Sequence, residues 1–323
     1  MSQQLFQITI GVDIAKKKFD VASLIAGKNK HKVFENNEAG FITFITWFLQ
    51  LCGDIKPLIC MEATGSYSLP LADFLVKQGY AVSMVNPAKI HAFSKSELSR
   101  AKTDKADAKL IARYALTMQP PLWTPAPAKI RELQALVRRV EHLQEMIRME
   151  RNRLDTADAK IIDSINTVLE TLEAELEATR KAIRDHIDNH PDLKKRGDLL
   201  DTIKGIGEAS VAHLLIALSD HHGFDNAKQV VAFAGLAPAL RQSGQWRANT
   251  HIAKNGDPLL RKALYMPAMV AWKYNPLIHV FCERLKANGK NGKAIVCAAM
   301  RKLIHIAFGV LKSGKPFDPN YAG

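Results

Sequence analysis

Four cysteines in 323 residues, none of them spaced as a pair, is the first scarcity that narrows the possibilities. Cys52, Cys60, Cys282 and Cys297 form no C-x-x-C, and no histidine stands at zinc-ligand spacing beside them. That excludes a structural zinc site or a disulfide framework as the organising principle of the fold. The four are expected to be reduced core residues of a cytosolic protein. No charged-then-apolar leader opens the chain, and no apolar stretch approaches the ~20 residues a membrane span requires. Neither a membrane nor a secreted location is expected, and there is no internal repeat or low-complexity tract. Acidic residues also run out along the chain. From Arg241 to the end there are 3 Asp/Glu against 14 Lys/Arg, so most of the formal net charge of +13 sits in the last quarter. Such segregation is the footprint of a protein that meets a polyanion, nucleic acid first among them.

With 47% apolar and 24% charged residues the chain reads as globular, long enough for two or three structural units. Ile8-Thr9-Ile10-Gly11-Val12-Asp13 is a short apolar strand followed by a basic turn. Phe19 to Ile25 and Lys32 to Glu35 read as further strands of an antiparallel meander. Helical spacing over Phe41 to Leu51, a strand over Pro57 to Met61, a helix over Leu69 to Lys77 and a strand over Ala81 to Val85 follow. Asn86-Pro87 breaks that strand, and a polar helix is expected from about Ser99 through Ala115. This order describes a ribonuclease-H-like α/β layer.

Pro120, Pro121, Pro125 and Pro127 mark a linker. Beyond it Leu133, Val140, Ile147, Leu154, Ile161 and Val168 recur every seven residues, with Ile130, Val137, Ile165 and Leu172 on a second seam, a coiled-coil pattern. Gln144, Arg151 and Asp158 interrupt the seam, and helix propensity falls between Asp155 and Lys160. One long rod and two antiparallel helices fit equally, as do a self-contained hairpin and a dimerisation arm. After His190-Pro191 the remainder is expected to be helical, with turns around Gly205, Gly207, Gly235 and Gly244.

Four acids stand out against this frame. Asp13 and Glu62 end strands, and Asp104 and Asp107 are three apart in a helical pattern and so share a face. A helix packed across the strand ends would gather all four. Oxygen-only ligands of this kind suit Mg²⁺ or Mn²⁺, and paired ions can activate an attacking oxygen and stabilise a leaving one. Lys102, Lys105 and their basic neighbours would hold a phosphate backbone close by.

At these residues the chain resembles a known family. Gly11-Val12-Asp13-Ile14-Ala15-Lys16, Met61-Glu62-Ala63-Thr64-Gly65 and Lys102-Thr103-Asp104-Lys105-Ala106-Asp107-Ala108 are similar to the three signatures of the DEDD transposases. These are insertion-sequence recombinases of the IS-one-ten type, related to the Piv-type DNA invertases. Thr202-Ile203-Lys204-Gly205-Ile206-Gly207, Gly235-Leu236-Ala237-Pro238, Ser243-Gly244, Lys254-Asn255-Gly256 with Leu260-Arg261, Arg301-Lys302-Leu303 and Gly314-Lys315-Pro316-Phe317 extend the likeness almost to the end. The resemblance implies an α/β plus α architecture: a RuvC-like domain over 1–127, a helical coiled-coil arm over 128–192, and a mainly helical C-terminal transposase domain over 193–323. It implies a nucleophilic serine, by motif Ser243. It also implies a structured element-encoded bridge RNA that pairs with donor and target double-stranded DNA, and a homodimer or homotetramer joined through the coiled coil.

The residues of the second half bear separately on this picture. Gly205-Ile206-Gly207 reads as a helix-hairpin-helix turn whose backbone N–H groups approach a phosphate, or as a plain turn between helices. Ser243 is flanked by Arg241, Trp246 and Arg247, cations suited to phosphoryl oxygens. It has no evident His/Asp companion, so an oxygen-activating metal on the four acids is the expected source of its reactivity. Lys254, Arg261, Lys262, Arg301 and Lys302 are candidate backbone contacts. Trp246 is a candidate for base stacking, whereas Trp272 and Tyr274 are expected in a helix core. A metal-dependent junction nuclease, in which the acids hydrolyse DNA and Ser243 is structural, is the competing reading.

Overall fold

The computed structural model describes residues 6–25, 28–53, 55–63, 65, 67–97, 103–239, 242–243, 246–247 and 251–320, with the backbone alone at 28, 242–243, 246–247 and 251. The chain divides into two compact units, residues 1–125 and 126–323.

The first unit is a five-stranded sheet with helices on both faces. Strands β1 (Thr9–Ile14), β2 (Lys18–Ile25) and β3 (Lys28–Glu35) form an antiparallel meander. After helix α1 (Glu38–Cys52), β4 (Leu58–Glu62) pairs in parallel with β1. Helix α2 (Leu69–Lys77) leads to β5 (Ala81–Val85), parallel to β4, so the sheet order is β3-β2-β1-β4-β5. Two helices follow, α3 (Pro87–Ser96) and α4 (Asp104–Met118). The expected helix from Ser99 starts at Asp104 in the structure, capped by the Thr103 hydroxyl, which accepts from Ala106 N at 3.2 Å. Helix α3 was not anticipated: Asn86-Pro87 does end β5, but Asn86 then caps the new helix and the proline sits in its first turn.

The pleat of β1 sorts its residues between two environments. Ile10 and Val12 join Phe19, Phe44, Phe48 and Leu75 in a core against α1 and α2. Thr9 and Gly11 turn the other way, onto α4. The Thr9 hydroxyl donates to Ala112 O at 2.8 Å. A Cβ on Gly11 would stand 2.1 Å from Ala108 O and 2.3 Å from Ala112 N, both backbone atoms. Only glycine lets α4 lie this close to the strand.

In the second unit α5 (Ala128–Leu154) and α6 (Ile162–Asp188) run antiparallel. Arg151 pairs with Glu173 at 2.6 Å near the turn, and His186 Nε2 lies 2.8 Å from Lys129 O at the other end. The chain therefore folds back between Leu154 and Ile162, around Asp158, whereas α5 runs unbroken through Gln144 and Arg151. Ile165, Leu169, Leu172 and Leu176 bury against Leu143 and Ile147, whereas Ile161 and Val168, expected on the seam, are exposed. Helices α7 (Pro191–Asp201), α8 (Glu208–Ala217) and α9 (Ala227–Phe233) precede four two-residue strands absent from the helical expectation. These are β6 (Pro238–Ala239), β7 (Gln242–Ser243), β8 (Trp246–Arg247) and β9 (His251–Ile252); β6 pairs with β9 and β7 with β8. Helices α10 (Pro258–Tyr274), α11 (Pro276–Ala287) and α12 (Gly292–Ser313) complete the unit.

Among the described residues α12 alone is long and apolar enough to cross a bilayer by length and composition, closer to a spanning stretch than the sequence reading allowed. Its Ile295, Val296, Ala299, Met300, Leu303, Ile304, Ala307 and Val310 are buried in the helical core of the unit. Cys52, Cys60 and Cys282 are buried as free thiols, whereas Cys297 on α12 is partly exposed and departs from the core expectation.

Gly11→Ala should cost about 3 kcal/mol or more, because backbone cannot rotate out of the way as a side chain can. Gly207→Ala, at φ −112° with no atom within 4 Å of the added Cβ, should change stability by less than ~1 kcal/mol. Urea unfolding with hydrogen exchange at β1 and α4 measures both. Equal, small effects would refute the close-approach argument.

Candidate active site

Asp13 is the next residue on the Thr9–Gly11 face of β1, so alternation turns it toward α4. Parallel pairing sets Val12 beside Met61, which leaves Asp13 and Glu62 at the ends of neighbouring strands. Leu58 and Cys60 pack against Leu110 and Ile111 of α4, so Glu62, on the same face of β4, also turns to that helix. Asp104 and Asp107 occupy the first turn of α4, where the positive end of the helix dipole favours carboxylates. Gly65 at φ +73° turns the chain away just past Glu62, in a region where glycine is favoured.

The electrostatics show that these acids feel one another. The pKa of Asp13 is raised to about 6, first by burial and then by the charges of Asp107, Asp104, Glu62 and Asp20. Burial raises that of Glu62, with Asp107 adding to it. Asp104 shifts the other way, because Lys18 hydrogen-bonds to it and stabilises its ionised form. Lys18 Nζ lies 3.0 Å from Asp104 Oδ2 and 3.2 Å from Asp20 Oδ2, and both partners raise the pKa of the ammonium.

Asp20 and Lys18 are the residues that sequence reasoning missed. Asp20 sits directly across β2 from Asp13 and is buried, its second oxygen 2.8 Å from His31 Nε2. The signal was the hairpin register: residues opposite each other share a face. A short basic turn separates Asp13 from Lys18, so Asp13 pairs with Asp20 once the hairpin closes.

In the second unit β7 and β8 form a hairpin with Ser243 paired to Trp246 and Gln242 to Arg247; only the backbone of these four residues is described. Arg241, Gly244 and Lys102 lie outside the described residues. Lys105 is exposed on α4. Gly205 has φ +107°, and a Cβ there would stand 2.6 Å from Ala271 Cβ, so the turn packs against α10. Gly207, by contrast, is open. Buried Asn275 anchors the same turn by donating to Lys204 O at 3.1 Å. Arg261 donates to Ala234 O at 2.8 Å and Lys262 pairs with Glu141, so both engage the chain itself. Lys254 is exposed at φ 57°, and Lys302 is exposed beside half-buried Arg301. Trp272 is half-buried and donates to Glu283 at 3.0 Å. Tyr274, expected in the core, is 57% exposed because α10 ends there at the surface.

A transposase family model, that of the DEDD transposases of the IS110 type, matches residues 10–161. The model of the transposase IS116/IS110/IS902 family matches residues 197–283. The pilin gene-inverting protein of Moraxella bovis is 36% identical over 312 residues, 96% of this chain and 97% of that protein. The chain belongs to the IS110 transposase family. A putative transposase of Sinorhizobium fredii is 26% identical over 92% of the chain and 90% of its own length. An insertion element IS110 protein of Streptomyces coelicolor is 24% identical over 49% of the chain and 38% of its length. As a transposase the chain is an enzyme that rearranges DNA, and the DEDD family implies a divalent metal.

The residues fit such an ion by donor chemistry: they offer hard carboxylate oxygens that share one partly buried environment. Among the described residues no three His, Cys, Asp or Glu side chains already converge at coordinating distance. The acids of this transposase lie within electrostatic reach of one another, with the Lys18 ammonium on Asp104 as the local counter-charge.

A carboxyl with a higher pKa folded than unfolded takes up a proton on folding. Ionised Asp13 therefore lowers stability at pH 7, and the loss fades as pH falls through about 6 toward the ordinary value of 3.8. Asp13→Asn should raise the Tm of the metal-free transposase at pH 7 by about 2–4 °C, the effect of ~1 kcal/mol after allowing for solvent screening. The gain should shrink toward pH 4, and Mg²⁺ should stabilise the wild type more than the variant. A variant destabilised at pH 7, or one fully responsive to Mg²⁺, would count against this site.

Proposed function

We propose that this transposase cuts and exchanges DNA strands through a covalent Ser243–phosphodiester intermediate, with Asp13, Glu62, Asp104 and Asp107 holding Mg²⁺ or Mn²⁺. The observation that carries the reading is the set of like charges around Asp13, placed on one face by β1, β4 and α4. Three antiparallel strands, two parallel ones and a helix across their ends support a ribonuclease-H-like, RuvC-like assignment for the first unit. The bound ion supplies Lewis acidity that stabilises charge developing on the reacting oxygens.

Ser243 Oγ attacks phosphorus, forming a serine–phosphate bond while the bond to the 3′ oxygen breaks. The serine proton is lost and the departing 3′ oxygen gains one. The 3′-hydroxyl of another strand then attacks the phosphoserine and returns the serine. One phosphodiester is exchanged for another, so no external energy source is needed. The relative from Moraxella bovis is a gene-inverting protein by name, and the same chemistry would serve inversion or transposition.

We infer further that a structured bridge RNA selects donor and target double-stranded DNA, and that the α5/α6 hairpin is an arm joining subunits into a homodimer or homotetramer. The resemblance of the motifs supports both. In this reading the segments are 1–127, 128–192 and 193–323, and Lys102, Lys105, Gly205, Gly207, Arg241, Trp246, Arg247, Lys254, Arg261, Lys262, Arg301 and Lys302 meet nucleic acid.

Denaturing gels of the transposase with labelled DNA and its co-purified RNA test the proposal. Wild type should give a protein–DNA adduct that Ser243→Ala abolishes, and recombination should fall by at least ~10³-fold in that variant. Full recombination by Ser243→Ala would overturn the mechanism in favour of hydrolysis by the acids alone.

A further inference from the structure

The second unit contains a cavity of ≈ 390 Å³ between the start of α12, the end of α11 and the β6/β9 ribbon. One wall is apolar and includes Pro238 and Ile252 of the ribbon. The other carries Lys290, Lys293 and Arg301, with Cys297 between them. Among the described residues none of these three cations has a carboxylate at ion-pair distance. Arg301 Nε is buried and, among the described residues, makes no hydrogen bond, which is costly for a charged donor. Charge of the same sign accumulates beyond the cavity too. Burial lowers the pKa of His305, and Lys302, Arg301 and Lys228 lower it further. Lys293 and Ala294 lie in the first turn of the 22-residue α12, whose dipole adds to the positive field.

We propose that this cavity seats one backbone phosphodiester of the DNA strand being processed, its phosphate held by Lys290, Lys293 and Arg301 and its deoxyribose against Pro238 and Ile252. The occupant must be anionic on one side and apolar on the other, as a sugar–phosphate unit is and an inorganic anion is not. A half-buried guanidinium with an unpartnered Nε among the described residues suits a fixed phosphate better than a diffuse counterion cloud does. DNA is the favoured source because the family acts on DNA and the ribbon leads directly to the hairpin bearing Ser243. Pro238, which lines the cavity, is five residues from Ser243, so the backbone of the serine lies at most ~18 Å from that wall. The inference rests on the DNA-directed activity of the family, and it holds whether or not Ser243 forms a covalent bond.

Two measurements on the full-length chain test it. The first is fluorescence anisotropy with a labelled single-stranded DNA oligonucleotide and an RNA of the same sequence, across a salt series. Lys293→Gln and Arg301→Gln should each weaken DNA binding about tenfold at low salt and reduce the salt slope by about 1. The double variant should lose no more slope than either single one, because both residues serve one phosphate. Lys312→Gln, on the exposed last turn of the same helix, should change little. Additive slope losses, or an equal loss in Lys312→Gln, would reduce the seat to a general basic face. A loss confined to RNA would overturn the assignment to DNA.

The second measurement is alkylation of Cys297 by iodoacetamide. Cys52, Cys60 and Cys282 are buried, so the reaction reports the cavity. Saturating DNA should slow it several-fold in wild type and equally in Ser243→Ala, but not in Arg301→Gln. An unchanged rate in wild type would overturn the seat. If Arg301→Gln fails to fold, Lys293→Gln, an exposed position, serves in its place.

Discussion

Helix α4 rests directly on β1, and the contact exists because residue 11 has no side chain. Backbone atoms of Ala108 and Ala112 fill the space where a Cβ would stand. The Thr9 hydroxyl, one pleat away, closes the contact by donating to Ala112 O. Small residues on both sides thus fix the height of the helix above the sheet, and its first turn overlies the strand ends as a consequence. Asp13, Glu62 and Asp20 come from three strands of one sheet, yet they share an environment with Asp104 and Asp107 only through this packing. A larger residue at position 11 would leave every carboxylate in the chain while separating them.

The gathered acids work against the stability of the unit that holds them. Partial burial and like charge together raise the pKa of Asp13 to about 6, so folding leaves a carboxylate that resists ionisation at neutral pH. Lys18 offsets part of this by bridging Asp20 and Asp104. Its ammonium occupies the position of a counter-charge without saturating the cluster, since Asp13 and Glu62 are still shifted upward. A divalent cation bound by such carboxylates would offset this cost, as the proposed function requires.

Much of this was legible in the sequence, and the exceptions have physical causes. Strands β1, β4 and β5 could be read because short apolar runs end in turn residues, and the Asp104/Asp107 pair because a spacing of three puts both on one helix face. The antiparallel turn of α5 and α6 was open to reading where Asp158 breaks the seam. Asp20 was not legible, because its importance depends on cross-strand register and not on any local pattern. Helix α3 was missed because Asn86-Pro87 is equally a strand breaker and a helix start. The ribbon strands β6 to β9 are two residues long, too short for any periodicity. Their position is set instead by contacts such as Gly256 against Gly235, where an added Cβ would stand 2.4 Å from the facing nitrogen.

The two units carry opposite electrostatic deficits. On the first, five carboxylates share one environment, with Lys18 bridging Asp20 and Asp104. On the second, Lys290, Lys293 and Arg301 line a cavity with no described carboxylate to pair with. Among the described residues these three cations pair with no carboxylate, although elsewhere the chain pairs readily: Arg151 with Glu173, Lys129 with Asp192 and Arg184 with Glu208 are all within 3.0 Å. Pairing is therefore available to this sequence and is withheld, among the described residues, at this cavity. The uneven charge that marked the last quarter of the sequence thus lies in part on one wall of a cavity, whereas the acids near the start of the chain gather at the strand ends of the first unit.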